Sequence, residues 1–142
     1  MRNIASFLHA FNLKNAACFL NLECADDNSL QSFFVDSGYT STQLRAALPI
    51  GYLDGYHFKT PNFTFQILAL TLQEITGAIM IAALAIVPIE NNQWWTWFLR
   101  NVKRNSDVSR FLDAGHFMGD RDKGEKAAVE SEFPNSPLSA CC

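Results

Sequence analysis

Residues 50–87 carry three nearly continuous apolar runs in series, "IGYLDGYHF", "FTFQILALTLQ" and "GAIMIAALAIV". Nothing else in the chain restricts its fold as much. "KTPN" separates the first run from the second, and "EITG" separates the second from the third. Both connections are of turn length, so neighbouring runs are expected to pair antiparallel. Runs this apolar read as strands covered on both faces. The third run, within "ITGAIMIAALAIVPI", is also weighed as a membrane span. Its uncharged stretch is shorter than the about 20 residues a spanning helix needs, and Glu74 and Glu90 bracket it. Its Ile and Val content fits a strand, against the pull of its alanines.

The flanks predict the rest. In residues 4–13, Ile4, Phe7, Leu8 and Phe11 recur at helical spacing and predict a short amphipathic helix. "ACFLNLEC", the turn "ADDNS" and "LQSFFVDS" predict a hairpin, with Phe33, Phe34 and Val35 available for burial. "GYTSTQLRAAL" predicts a loop and a short helix, capped by Thr40 or Ser41 and stopped by Pro49. After the third run, "ENNQWWTWFLRNVKRNS" opens on the cap residues Asn91 and Asn92. It sets Trp94, Trp95, Phe98, Leu99 and Val102 on one broad apolar face. Trp97 points elsewhere, toward an element missing from this chain. Arg100, Lys103 and Arg104 fall on other faces and read as solvated, with phosphate contact as the alternative. "HFMGD" predicts a short strand ending at Asp120, "RDKGEKAAVESEF" a helix ended by Pro134, and "PLSACC" one more strand.

Three strands, helix, strand, helix, strand define an α/β (α+β) chain with a mixed sheet and flanking helices. Residues 1–48 are expected to form a helix and hairpin region preceding a core at 49–142. The close at "NSPLSACC" has no helix-ending signal and no polar tail, so a C-terminally truncated domain is expected. With 142 residues, 49% of them hydrophobic, the chain has enough apolar mass for one real core and is too apolar for disorder. Its net charge of −3 excludes a polycation, so any nucleic acid must meet a local patch. Cys18, Cys24, Cys141 and Cys142 form no Cys-x-x-Cys pair and no secreted disulfide framework, which favours a reducing compartment. Asn3, His9, Asn12 and Lys14 interrupt any signal-peptide core at the start.

Two aspartates stand out. Asp54 lies at the end of the first central strand, and Asp120 at the end of a later one, 66 residues on. Sites in open sheets form where strands end and connections diverge. Two carboxylates brought together there repel unless a cation lies between them. Hard oxygen ligands select Mg²⁺ or Mn²⁺, which suit phosphoryl chemistry. Ordinary alternatives stand beside this reading. Asp54, followed by Gly55, suits a turn, and Asp120 suits a helix N-cap. Asp113 and Asp122 compete with Asp120 as ligands. His57 follows Asp54 at an odd offset, which on a strand puts it on the opposite face.

Three blocks carry a more specific signal: "LDGYHFK" at 53–59, "IVPIENNQWWTWFL" at 86–99 and "GDRDKGEKAAVESEFPNS" at 119–136. In motif, order and spacing the chain resembles the Mutator-like element (MULE) transposases over about residues 30–136. "SFFVDSGYTSTQ" is similar to the Phe-rich strand of that family. The resemblance implies an RNase H-like fold and an Asp-Asp-Glu triad that binds Mg²⁺ or Mn²⁺. It also implies cleavage of transposon ends and their joining to target DNA. Carried over by position, Asp54 matches the first catalytic aspartate and Asp120 the second. The glutamate is expected beyond residue 142, because Glu125, Glu130 and Glu132 follow Asp120 too closely. Cys141 or Cys142 matches the cysteine of a Cys/His element whose histidine is missing. Lys59 and Arg121 are the candidate phosphate contacts. The expectation is a DDE transposase fragment, inactive alone, from a homo-oligomeric parent. It would act on DNA in the nucleus if eukaryotic, otherwise elsewhere inside the cell, with no membrane. The alternative is a domesticated DNA- or protein-binding module without catalysis.

Overall fold

The three apolar runs become an antiparallel meander: β3 (Ala47–Lys59), β4 (Thr64–Glu74) and β5 (Ile79–Val87). These elements come from a computed structural model that describes residues 6, 9–11, 13–27, 29–120 and 124–140. The third run is thus a sheet strand. Among the described residues no helix is long and apolar enough to cross a membrane. β3 starts earlier than expected and takes in Pro49. The β3–β4 register is irregular between Ala47 and Gly51, and an irregular stretch tolerates a residue that has no N–H to donate.

The predicted hairpin forms as β1 (Leu20–Cys24) and β2 (Leu30–Asp36), and β2 pairs in turn with β5. On the other side of the meander, β6 (His116–Gly119) lies parallel to β3, and β7 (Leu138–Ala140) lies parallel to β6. The result is a mixed α/β chain with a seven-stranded sheet in the order β1-β2-β5-β4-β3-β6-β7.

Beyond the N-terminal helical residues, the helices are α1 (Ser41–Leu44), α2 (Asn92–Val102), α3 (Ser106–Asp113) and α4 (Glu125–Glu132). Of the helix expected over 4–13, residues 6, 9–11 and 13 are helical, and residue 14 continues it; Ile4, Phe7 and Leu8 lie outside the described residues. Asn91 caps α2, its side chain accepting from the Trp94 N–H at 3.0 Å. α3 was not expected at all. Asn105 caps it by accepting from the N–H groups of Asp107 and Val108, and Val108 and Leu112 supply its buried face.

The helices pack on one face of the sheet. Phe34 of β2 meets Phe98 of α2 with ring centroids 5.6 Å apart, and Phe117 of β6 meets Phe133 at 5.2 Å. Trp95, Leu99, Leu112 and Val129 fill the layer between. Each such side chain stabilises by about 1.5–3 kcal/mol on burial. β4 shows the consequence: Gln66, Leu68, Leu70 and Leu72 are buried, while Phe65, Ile67, Ala69 and Thr71 are half-buried. The expected cover on both faces is therefore not found. Ile79, Ile81, Ile86 and Tyr56 are exposed, and among the described residues no helix lies over them. A continuous apolar run fixes a strand without saying how many of its faces are covered.

One reading of α2 is corrected. Trp97 does not await a missing element. Its ring packs edge-on to Phe34 and Trp94, and its indole N–H donates to the Glu23 carboxylate. Arg100, Lys103 and Arg104 are exposed, as a solvated face requires, and each also touches a neighbour. Arg100 Nε donates to Glu132 Oε1 at 2.8 Å, and Lys103 Nζ donates to the Glu132 carbonyl at 2.8 Å. The Arg104 guanidinium stands 4.7 Å over the Phe19 ring. These side chains tie α2 to its neighbours.

Candidate functional site

Strand register decides what faces what. β3 and β6 are paired in parallel as Ile50 with His116, Gly51 with Phe117, and Tyr52 with Met118. Every pair is separated by 66 residues, the separation between Asp54 and Asp120. Asp54 lies two residues past the last of these pairs on β3, and Asp120 lies two residues past it on the β6 side, just beyond the end of β6 at Gly119. Alternation then fixes their face. Leu53 and Gly119 are buried toward the helices, so Asp54 and Asp120 turn to the open face with Tyr52 and Met118. Both aspartates are exposed. Together they line one cavity of about 410 Å³, with Tyr52, Thr71, Gln73, Ile79 and Met118.

The ordinary roles weighed for these residues do not fit. Asp54 is paired with Ala69 in mid-strand and makes no turn. Asp120 does not cap α4, whose N-cap is Gly124. Aspartate is disfavoured in strands, and an exposed one in the middle of β3 has no folding task that explains it. Two carboxylates facing the same way fit part of a hard-oxygen site for Mg²⁺ or Mn²⁺, leaving other positions to water and phosphate oxygens. Among the described residues no group of three His, Cys, Asp or Glu converges on such a point.

The other candidates lie elsewhere. His57 is on the opposite face, with Gln66 Nε2 3.0 Å from its Nε2. Lys59 ends β3 five residues beyond Asp54, roughly 16 Å along the strand. Asp113 ends α3 and is exposed. Arg121, Asp122, Cys141 and Cys142 lie outside the described residues. Glu125 and Glu132 are buried in the helix layer, and Glu130 is exposed on α4, 3.7 Å from Lys126.

Sequence reasoning missed Glu90, which is 6% exposed and accepts from Trp95 Nε1–H at 3.3 Å. Its only signal was a carboxylate set beside a tryptophan-rich helix. It also missed Asp36. That carboxylate is buried, which pushes its pKa up although it accepts from the N–H groups of Gly38 and Phe19.

The family model of the MULE transposase domain matches residues 51–142. The chain belongs to the MULE transposase family. The match contains both aspartates and every element of the β3–β7 arrangement except the first residues of β3. MULE membership carries a transposase-related function, DNA as the partner, and divalent-metal use in general. No curated protein matches the chain.

Proposed function

We propose that this chain forms the catalytic sheet of a DDE-type transposase with an RNase H-like fold. Asp54 and Asp120 hold the divalent ions used to cut transposon ends and transfer strands. One observation supports the reading: the two aspartates line one cavity beside the paired strands β3 and β6. The sheet order supports the fold assignment. Strands β3-β4-β5 form an antiparallel meander, and the first of them carries two parallel strands, β6 and β7, on its other edge.

A divalent cation bound there supplies Lewis acidity at a phosphoryl oxygen and lowers the pKa of a bound water or 3′-hydroxyl. The part of this chain is placement. The paired strands fix both carboxylates, and the open face leaves a DNA backbone free to approach them. The third carboxylate of the triad, a glutamate of a later helix, belongs to this proposal from outside these 142 residues. So does action in the nucleus of a eukaryotic cell, or elsewhere inside the cell otherwise, where DNA is reached.

The test is an NMR titration with Mg²⁺. Shifts centred on Asp54 and Asp120, abolished by Asp54→Asn, are the expected result. A spectrum indifferent to Mg²⁺ would sink the metal role and leave a DNA- or protein-binding module without catalysis.

A further inference from the structure

β3 carries exposed aromatic rings on the face that carries Asp54. Alternation along the strand places Tyr56 and Phe58 there, roughly 7 and 13 Å from Asp54. Tyr56 is 63% exposed and Phe58 41%. On β4, Phe65 pairs with Phe58, and the two rings stack with centroids 4.8 Å apart. With Phe33, Phe63 and Ile86, Phe65 also lines a mainly apolar cavity of about 780 Å³. Asp54, Tyr56, the Phe58–Phe65 pair and this cavity thus follow one another along the open face.

Folding explains only part of this row. Aromatic pairs across strands stabilise a sheet, which accounts for Phe58 and Phe65. Tyr56 stands opposite Ile67 and stays mostly in water. Phe63 is 71% exposed in the turn between β3 and β4. Thr60 closes that turn: its N–H donates to the Phe63 carbonyl, and its Oγ1 accepts from the Phe63 N–H. Those bonds use only the backbone of Phe63, so the turn does not call for a ring at that position.

The occupant follows from what reaches this face. DNA is the partner of the family, and in the reading above its backbone approaches Asp54 and Asp120. Bases within a duplex are stacked on one another and offer no face to a protein ring. Unpaired bases stack on aromatic side chains whatever their sequence. Lys59 follows Phe58 and pairs with Thr64, which follows Phe63, so a basic residue stands at the far end of the row. We propose that Tyr56, Phe58 and Phe63 form a stacking track, leading to the cavity, for unpaired bases of DNA held at the Asp54–Asp120 pair. The proposal rests on DNA reaching that site.

The test measures binding of a fluorescein-labelled single strand of DNA by anisotropy, without divalent ions. The same strand built from abasic residues, and the corresponding duplex, are the controls. The expected result is a preference for the single strand with bases, weakened about ten-fold by Tyr56→Ala and by Phe63→Ala. Tyr56→Trp and Phe63→Trp are expected to retain it, and Phe63→Leu, apolar but without a ring, to lose it. Melting temperatures are expected to stay near the wild-type value, because both side chains are exposed. Equal affinity for the strands with and without bases, or wild-type affinity in both alanine variants, would overturn the proposal. So would alanine variants that reduce self-association of the protein and leave oligonucleotide binding unchanged. Mg²⁺ shifts at Asp54 and Asp120 would in those cases leave the metal site standing. A protein that binds the bases but ignores Mg²⁺ would overturn the metal reading alone.

Discussion

Asp54 and Asp120 line the same cavity on the open face of the sheet, although 66 residues separate them. Asp54 lies in mid-strand and closes no turn, and Asp120 is not the N-cap of α4. Two exposed like charges on adjacent strands repel, so removing one relieves the fold.

Asp54→Ala is therefore expected to leave the fold intact, with stability unchanged or raised by up to about 1 kcal/mol. Its response to Mg²⁺ is expected to vanish. Thermal melting and an NMR titration check both halves. Loss of the fold would instead assign Asp54 a structural role.

Gly51 lies where β3, β6 and α3 meet. A methyl group on it would stand 2.9 Å from Leu112 Cδ2 and 3.1 Å from Leu70 Cδ1. Gly51→Ala is expected to cost about 1–3 kcal/mol through overpacking. Because Gly51 pairs with Phe117 in the ladder that aligns the aspartates, Mg²⁺ binding should weaken as well. Urea unfolding and the same titration test this.

Burial raises the Asp36 carboxyl above its usual value of 3.8. A group whose pKa is raised by folding contributes stability that is fully present below the unfolded pKa. That contribution is lost as pH rises through the folded pKa. Asp36→Asn still offers an oxygen to the Gly38 and Phe19 N–H groups. It should flatten the decline of stability above pH 3.8 and melt no lower than wild type at neutral pH. Melting curves across pH decide it. A variant with the wild-type slope would contradict it.

Ile79, Ile81, Ile86 and Tyr56 stand exposed on the face opposite the helices. Contiguous apolar surface of this kind drives association. The chain is expected to self-associate as its concentration rises, and Ile81→Lys is expected to reduce this. Light scattering on both proteins is the measurement, and a wild type that stays monomeric at high concentration would refute it.

Local pattern determined much of this molecule. The apolar runs and the turn-length "KTPN" and "EITG" gave the β3-β4-β5 meander, since strand period and chain reversal are short-range properties. The motif blocks marked Asp54 and Asp120 and pointed to the family. Tertiary structure decided the rest. Helix α3 is an exception, since its Asn105 cap and the helical spacing of Val108, Phe111 and Leu112 are local signals that the chain carried. Trp97 found its partner in Glu23, 74 residues away, and Glu90 found its place against a glycine of another strand. Whether the aspartates meet, and on which face, depends on the register between β3 and β6. Register is set by long-range packing at Gly51, Leu112 and Phe117, and no local window of sequence contains it.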